Sequence, residues 1–300
     1  MRGQVEIDDK ILERLEEWQQ KEGSLPEILK FYRDLLRIQV GAQASIPSPR
    51  PEKTTSEIGA QVREGIPLLE WNALPVDWSI FQDLFQAVVT TISEHTNAAA
   101  ESLREVASNT SLLQEATRAW YEGSPLSQWA DAHGIAEELL AAAIHGAIKP
   151  FLVVQAKALE GLVPQELWRR GYCPICGGKP DFAFLSKGQE HDSGFLSNGG
   201  GARWLLCSRC DSKWLFQRLQ CPYCNNQKHD ALAYFTDDSE LYRLYICKRC
   251  KSYLKAIDLR RTESEILLPL ERVLTVDMDR QGQEEGYRAG WASTAPDEQQ

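Results

Sequence analysis

Eight cysteines, arranged as four Cys-x-x-Cys pairs, constrain this 300-residue chain more than any other feature of its sequence. All eight lie after residue 172, so more than half of the chain has no cysteine. Cysteines that form the disulfides of a secreted scaffold are spread over a small chain instead. The uneven distribution therefore argues against a disulfide scaffold and predicts at least two parts of different structure.

Each Cys-x-x-Cys pair has the spacing that supplies half of a tetrahedral metal site. The first and third pairs read Cys-Pro-x-Cys, whereas the second and fourth read Cys-x-Arg-Cys-x-Ser, which indicates a duplicated module. The repeat predicts that the first two pairs form one site and the last two form another. The predicted ligands are Cys173, Cys176, Cys207 and Cys210 in the first site, and Cys221, Cys224, Cys247 and Cys250 in the second. The alternative, in which the second pair joins the third across a 10-residue spacer, stays open at this point.

Tetrahedral sulfur sites suit iron and zinc equally, so two metal ions of either kind are expected. A unit of about 40 residues has too small a core to fold without help, and both sites are therefore expected to be structural. The sequence contains no Gly-rich phosphate loop, no Gly-x-Ser-x-Gly elbow and no zinc-protease histidine pair. We accordingly predict no catalytic residue, no bound organic cofactor and no enzymatic activity.

Apolar residues at helical spacing predict an all-α domain over residues 1–168. Three prolines between residues 47 and 51 open a segment, residues 46–66, that we interpret as an extended linker inside this domain. After residue 168, short aromatic and β-branched runs alternate with cysteine turns and predict strands.

The second half of the chain is predicted as two small rubredoxin-like or zinc-ribbon modules, residues 169–217 and 218–261. A C-terminal helix and a solvated tail follow at residues 262–300, and a flexible glycine-rich loop is expected near residues 187–201. The predicted fold class is therefore multi-domain α+β.

Charge is distributed as unevenly as cysteine. Residues 169–261 contain 16 Lys and Arg against 9 Asp and Glu, whereas the rest of the chain contains 17 against 34. A basic, cysteine-bearing region favours a zinc-ribbon nucleic-acid-binding protein as one alternative. Four thiolates around a divalent ion carry a formal charge of about −2, however, so part of the positive excess balances the metal sites. Nucleic acid is for that reason not the favoured partner, and a rubredoxin-like redox protein is a further alternative.

The amino terminus lacks the basic and apolar regions of a signal peptide, and no apolar run reaches the length of about 18 residues that a membrane span needs. These features predict a cytoplasmic protein without a membrane span. Paired cysteines in that reducing compartment are more often metal ligands than disulfides.

Several motifs together resemble the formate dehydrogenase accessory protein FdhE family. They are Tyr172-Cys-Pro-Ile-Cys-Gly-Gly-Lys-Pro, Arg203-Trp-Leu-Leu-Cys-Ser-Arg-Cys-Asp-Ser-Lys-Trp, Cys221-Pro-Tyr-Cys, Glu284-Glu-Gly-Tyr-Arg and Pro67-Leu-Leu-Glu-Trp-Asn-Ala-Leu-Pro. The resemblance implies a cytoplasmic maturation chaperone that binds the catalytic subunit of formate dehydrogenase and has rubredoxin-like metal sites, with iron as a reported ligand. Self-association of the chain stays open.

Basic residues of the cysteine modules are expected to help contact the enzyme. They are Arg209, Lys213, Lys248, Arg249 and Lys251. One departure from a strict repeat is Asn225, which stands where the first module has a glycine.

Overall fold

The structure, a computed structural model, describes residues 3–48, 53–96, 100–187 and 201–292. The chain divides into two compact units. One comprises Met1–Arg50 with Leu69–Ala158, and the other comprises Pro51–Leu68 with Leu159–Gln300. Most of the predicted loop at 187–201 and the last eight residues of the predicted tail lie outside the described residues. The domain boundaries at residues 168, 217 and 261 remain predictions.

Helices build the first unit. In chain order the α-helices of the described residues, in both units, are α1 (Gly3–Glu22), α2 (Glu27–Gln43), α3 (Thr55–Glu64), α4 (Trp78–His95), α5 (Ala100–Ser108), α6 (Thr110–Glu122), α7 (Ser127–Ala132), α8 (Glu137–Leu159), α9 (Leu268–Leu274) and α10 (Val276–Glu284). The start of α4 shows how sequence sets a boundary, because the Asp77 side chain accepts hydrogen bonds from the backbone N–H groups of Ser79 and Ile80. The same helix buries Phe81 and Phe85 completely.

The most apolar helix is α8. With the 3-10 turn that follows it, the segment Glu137–Leu162 is long and apolar enough to cross a membrane, but 72% of its most apolar stretch is buried inside the protein. Burial of that extent is typical of the central helix of a helical core.

Helix α3 corrects the extended linker predicted at residues 46–66. Thr54 accepts a hydrogen bond from the backbone N–H of Glu57 and donates its own backbone N–H to the Glu57 carboxylate, which forms a capping box. Gly65, with φ of +78°, ends the helix. The capping signal Thr-x-x-Glu therefore overrides the prediction of extended backbone over Thr55–Glu64.

One seven-stranded sheet forms the centre of the second unit. Its strands are β1 (Pro180–Leu185), β2 (Arg203–Cys207), β3 (Lys213–Phe216), β4 (Leu232–Thr236), β5 (Tyr242–Cys247), β6 (Ser252–Asp258) and β7 (Arg288–Ala289). The order is β3-β2-β1-β6-β5-β4, with β7 paired to β6. Each predicted module contributes three strands, and the parallel pairing of β1 with β6 joins them. The predicted α+β class with two cysteine clusters is confirmed, but the sequence did not reveal that the modules share a sheet.

The C-terminal residues pack against one face of the sheet. Phe182, Phe184 and Ile257 form a cluster there with Ile266 and Leu268. Thr275, whose hydroxyl donates to the Glu271 carbonyl, separates α9 from α10, so two short helices replace the single one predicted. This face is therefore closed by the chain itself, while the cysteine turns extend from the strand ends.

Candidate metal centres

The first cysteine cluster is formed by two turns that flank strands β1 and β2. Cys173 and Cys176 precede β1, and Cys207 ends β2 just before Cys210. In the first turn the backbone N–H of Ile175 donates a hydrogen bond to the Cys173 sulfur at 3.4 Å. In the second turn the backbone N–H of Arg209 donates to the Cys207 sulfur at the same distance. These amide–sulfur bonds orient the side chains toward a common point.

The second cluster repeats this construction. Cys221 and Cys224 lie in the loop before β4, Cys247 ends β5, and Cys250 lies in the turn before β6. Asn226 adds a contact, because its side-chain nitrogen lies 3.9 Å from the Cys247 sulfur. The structure thus brings the first pair to the second and the third pair to the fourth, as the sequence repeat predicts, and it does not build the alternative pairing.

A left-handed residue follows the second cysteine of every turn. The four residues are Gly177 (φ +71°), Asp211 (φ +59°), Asn225 (φ +56°) and Lys251 (φ +54°). Glycine and asparagine adopt this conformation readily, which explains why Asn225 substitutes for the glycine of the first turn. Asp211 and Lys251 carry no such sequence signal, and only the structural repeat identifies them.

Sulfur separations in both clusters match those of a tetrahedral site. Three Sγ–Sγ distances in the first cluster are 3.4–3.6 Å, and two in the second are 3.7 Å. Zinc–sulfur bonds of about 2.3 Å place the sulfurs of a regular tetrahedron about 3.8 Å apart. All ligand atoms within each cluster lie within 4.8 Å of one another. Both clusters therefore could hold a metal ion, and the donor set fits iron or zinc.

The cysteine pKa values show why a cation suits these clusters. Burial raises the pKa of the Cys173 thiol well above its ordinary value, and its hydrogen bonds with the other three sulfurs raise it further. In the second cluster, hydrogen bonds with neighbouring sulfurs raise the pKa of Cys221, whereas the hydrogen bond with Cys221 lowers the pKa of Cys224 to about 7. Four thiolates thus coexist only if a cation replaces their protons.

The two clusters differ in exposure. All four cysteines of the first cluster are at most 3% exposed. In the second cluster Cys221 and Cys247 are buried, but Cys224 and Cys250 are half-buried. An ion in the first cluster would be sealed from solvent, whereas an ion in the second would be reachable from one side.

Comparisons with known proteins find relatives of this chain. No family model matches the chain. A protein from Aquifex aeolicus described as "Protein FdhE homolog" is 32% identical over 156 residues, which are 52% of this chain and 51% of the relative. "Protein FdhE" of Escherichia coli is 23% identical over 236 residues, which are 78% of this chain and 70% of the relative.

The alignments differ in how much of each relative they cover. A Haemophilus influenzae protein, also described as "Protein FdhE homolog", is 36% identical over 86 residues, which are 28% of this chain and 25% of the relative. The chain therefore aligns with about half of the length of the Aquifex relative and a quarter of the Haemophilus relative.

The fold is shared over nearly the whole length of both chains. The crystal structure of the FdhE protein from Pseudomonas aeruginosa matches with a TM-score of 0.64, at 22% sequence identity, and the match covers 97% of this chain and 96% of that chain. The chain therefore resembles FdhE-named relatives in sequence and shares the fold of an FdhE protein.

Proposed function

We propose that this chain is an accessory protein, a maturation chaperone needed to make active formate dehydrogenase, and that it acts in the cytoplasm by binding the catalytic subunit of that enzyme. The observation that carries the proposal is the pair of preformed four-cysteine clusters on one sheet in a chain that resembles FdhE-named proteins and shares their fold. The resemblance to the FdhE family supplies the link to formate dehydrogenase.

Each cluster is proposed to bind one iron or zinc ion through its four cysteines. A complete set of four thiolates leaves no coordination position for water or substrate, which is the arrangement of a structural rather than a catalytic metal site. The role of the metal is then to hold the cysteine turns rigid, and the chain itself needs no catalytic step. The rigid turns present a fixed surface to a partner.

Basic residues around the second cluster are the proposed contact surface. Lys248, Arg249 and Lys251 are exposed on the turn that carries Cys250. Arg209 occupies the corresponding turn of the first cluster, Lys213 begins β3 just after that turn, and both are half-buried. Charges on a rigid turn favour association with an acidic partner surface at little cost in conformational entropy.

Reversing the three exposed charges is expected to weaken binding of the catalytic subunit. A Lys248→Glu, Arg249→Glu, Lys251→Glu variant should lose at least about tenfold in affinity, because like charges then face each other across the interface. The measurement is co-purification, followed by titration of the isolated catalytic subunit at fixed salt.

The matched control is a Lys21→Glu, Arg63→Glu, Arg104→Glu variant, which reverses three exposed charges on helices rather than on the cysteine turns. It should bind like the unchanged chain. If the cysteine-turn variant binds equally well while it keeps its metal content, the proposed contact surface is wrong. If the unchanged chain does not bind the catalytic subunit, the proposed function is wrong.

A further inference from the structure

A cavity of about 450 Å³ lies beside the second cysteine cluster in the sheet unit. We call it the arginine–tyrosine cavity; its principal lining residues are Arg203, Arg218, Tyr234, Arg243, Tyr245 and Leu254. Small-molecule sites in proteins occupy about 300–1,000 Å³, so the volume suits a small ligand. The metal sites do not use this cavity, although Cys221 and Cys247 form part of its edge.

Strand register places the cavity on the sheet face opposite the C-terminal helices. Trp204 and Leu244 belong to the clusters that those helices cover, and adjacent strand residues point to opposite faces. Arg203 and Arg243 therefore share the other face, although β1 and β6 lie between their strands.

Small residues lie on the two intervening strands, on the face that carries the cavity. Ala183 on β1 pairs with Ala256 on β6, which in turn pairs with Arg243 on β5. The Arg203 guanidinium lies 4.8 Å from the centre of the Tyr245 ring on this face. Two cationic groups from distant strands thus converge on one cavity.

Both guanidinium groups retain an unused hydrogen-bond donor. Arg203 is 3% exposed and Arg243 is 8% exposed. One terminal nitrogen of Arg203 donates to backbone carbonyls, the shortest contact being 3.1 Å to Gln220, and one of Arg243 donates to Asp258 at 2.8 Å. The Nε–H of each arginine is buried and has no acceptor among the described residues. Buried donors normally have a partner, so these two indicate an acceptor supplied from outside the chain.

The charges around the cavity favour an anion. Among the described residues, those that line the cavity include three arginines and no Asp or Glu. The Asp258 carboxylate, which pairs with Arg243, also forms an ion pair with the Arg260 guanidinium at an N–O distance of 2.6 Å. A metal-loaded four-cysteine site carries a formal charge of about −2, which offsets the three guanidinium charges only in part. The cysteine sulfurs accept no hydrogen bond from the Nε–H of Arg203 or Arg243. Burial also lowers the pKa of Arg203, which reflects an incompletely compensated cation.

The remaining walls are aromatic and apolar. The rings of Tyr234 and Tyr245 lie 5.6 Å apart, and the Arg243 guanidinium lies 5.1 Å from the centre of the Tyr234 ring. Tyr234 is 51% exposed and leaves much of its ring open at the edge strand β4. Leu232 and Leu254 complete the apolar surface. A ligand that fills the cavity would therefore combine an anionic group with an aromatic ring.

We propose that the arginine–tyrosine cavity binds a small organic anion, in which a phosphate or carboxylate group accepts the Nε–H bonds of Arg203 and Arg243 and an aromatic ring packs against Tyr234 and Tyr245. Arginine suits either anion because its donors match the oxygens of both groups. The site is separate from the proposed basic contact surface, and its test needs no formate dehydrogenase.

Calorimetric titration of the full chain, loaded with zinc, tests the proposal. The probes are phenyl phosphate and benzoate, with inorganic phosphate and benzyl alcohol as probes that each lack one half of the ligand. Saturable binding of phenyl phosphate or benzoate is expected, at least about tenfold tighter than either half-probe, because the charged hydrogen bonds and ring contacts act together.

Two substitutions separate binding from folding. Arg218→Gln removes a half-buried cation, Tyr234→Ala removes the exposed ring, and neither change alters the Arg243–Asp258 pair. Each should weaken probe binding about tenfold while the zinc content and the melting temperature stay unchanged. Arg280→Gln, a change at an exposed position on α10, is the matched control and should bind like the unchanged chain.

Three results would overturn the proposal. The first is an absence of saturable binding of both aromatic probes up to about 10 mM. The second is equal affinity in the Arg218→Gln, Tyr234→Ala and unchanged proteins. The third is binding of an acidic peptide without binding of either small probe, which would assign the cavity to a polypeptide.

Discussion

Replacement of Cys173 by serine is expected to remove one metal ion per chain and to unfold most of the sheet unit. Cys173 is 0% exposed, and its sulfur lies 3.6 Å from that of Cys210. Metal binding to structural cysteine sites contributes roughly 10–16 kcal/mol, which is comparable with the entire stability of an ordinary domain. Loss of one ligand in a sealed site releases the ion, and the three remaining cysteines take up protons and no longer hold the two turns together.

Metal content, near-ultraviolet circular dichroism and the melting temperature together measure this effect. The matched control is Ser208→Ala, which changes a residue between Cys207 and Cys210 without removing a sulfur. It should keep both ions. Cys224→Ser, at the half-exposed second cluster, should lower the melting temperature less than Cys173→Ser, because solvent can complete its coordination. A Cys173→Ser protein with two ions and an unchanged melting temperature would contradict a structural role for the first cluster.

Replacement of Gly171 by alanine is expected to destabilise the sheet unit by about 1–3 kcal/mol, the usual cost of forcing an extra group into a packed interior. A Cβ atom at this position would lie 1.7 Å from the carbonyl oxygen of Pro222, far inside the contact distance. Pro222 follows Cys221 in a turn of the second cluster, whereas Gly171 lies two residues before Cys173 of the first cluster. The close approach of the two backbones therefore links the two modules.

Urea denaturation of Gly171→Ala and Gly161→Ala proteins measures the difference. A Cβ atom at Gly161 would have no neighbour within 4 Å, so Gly161→Ala should leave the free energy of unfolding unchanged or raise it slightly. Equal stabilities of the two variants would show that the Gly171–Pro222 contact relaxes without cost.

The cysteine clusters could be predicted from the sequence because their chemistry is local. A Cys-x-x-Cys turn needs only four residues, and the duplicated Cys-Pro-x-Cys and Cys-x-Arg-Cys patterns indicated which turns belong together. The helical character of the first half followed from apolar periodicity for the same reason. Helix α3 was missed because prolines precede it, and a proline-rich segment predicts extended backbone. The pair Thr54 and Glu57 is the local signal that predicts the helix.

The shared sheet and the arginine–tyrosine cavity could not be predicted, because both depend on pairing between distant segments. Strands β1 and β6 lie some 70 residues apart in the chain, and no local pattern specifies their parallel register. Arg203 and Arg243 line one cavity because β2 and β5 belong to the same sheet, in which β1 and β6 lie between them. Each arginine by itself resembles an ordinary strand residue.

Metal content per chain tests most directly whether the eight cysteines form two sites. The protein should be purified without oxygen, because oxidised thiols cannot hold the ion, and its bound iron and zinc measured together against protein concentration. Two ions per chain are expected from the two four-cysteine clusters. One ion or fewer in fully loaded protein would contradict the assignment of two metal sites.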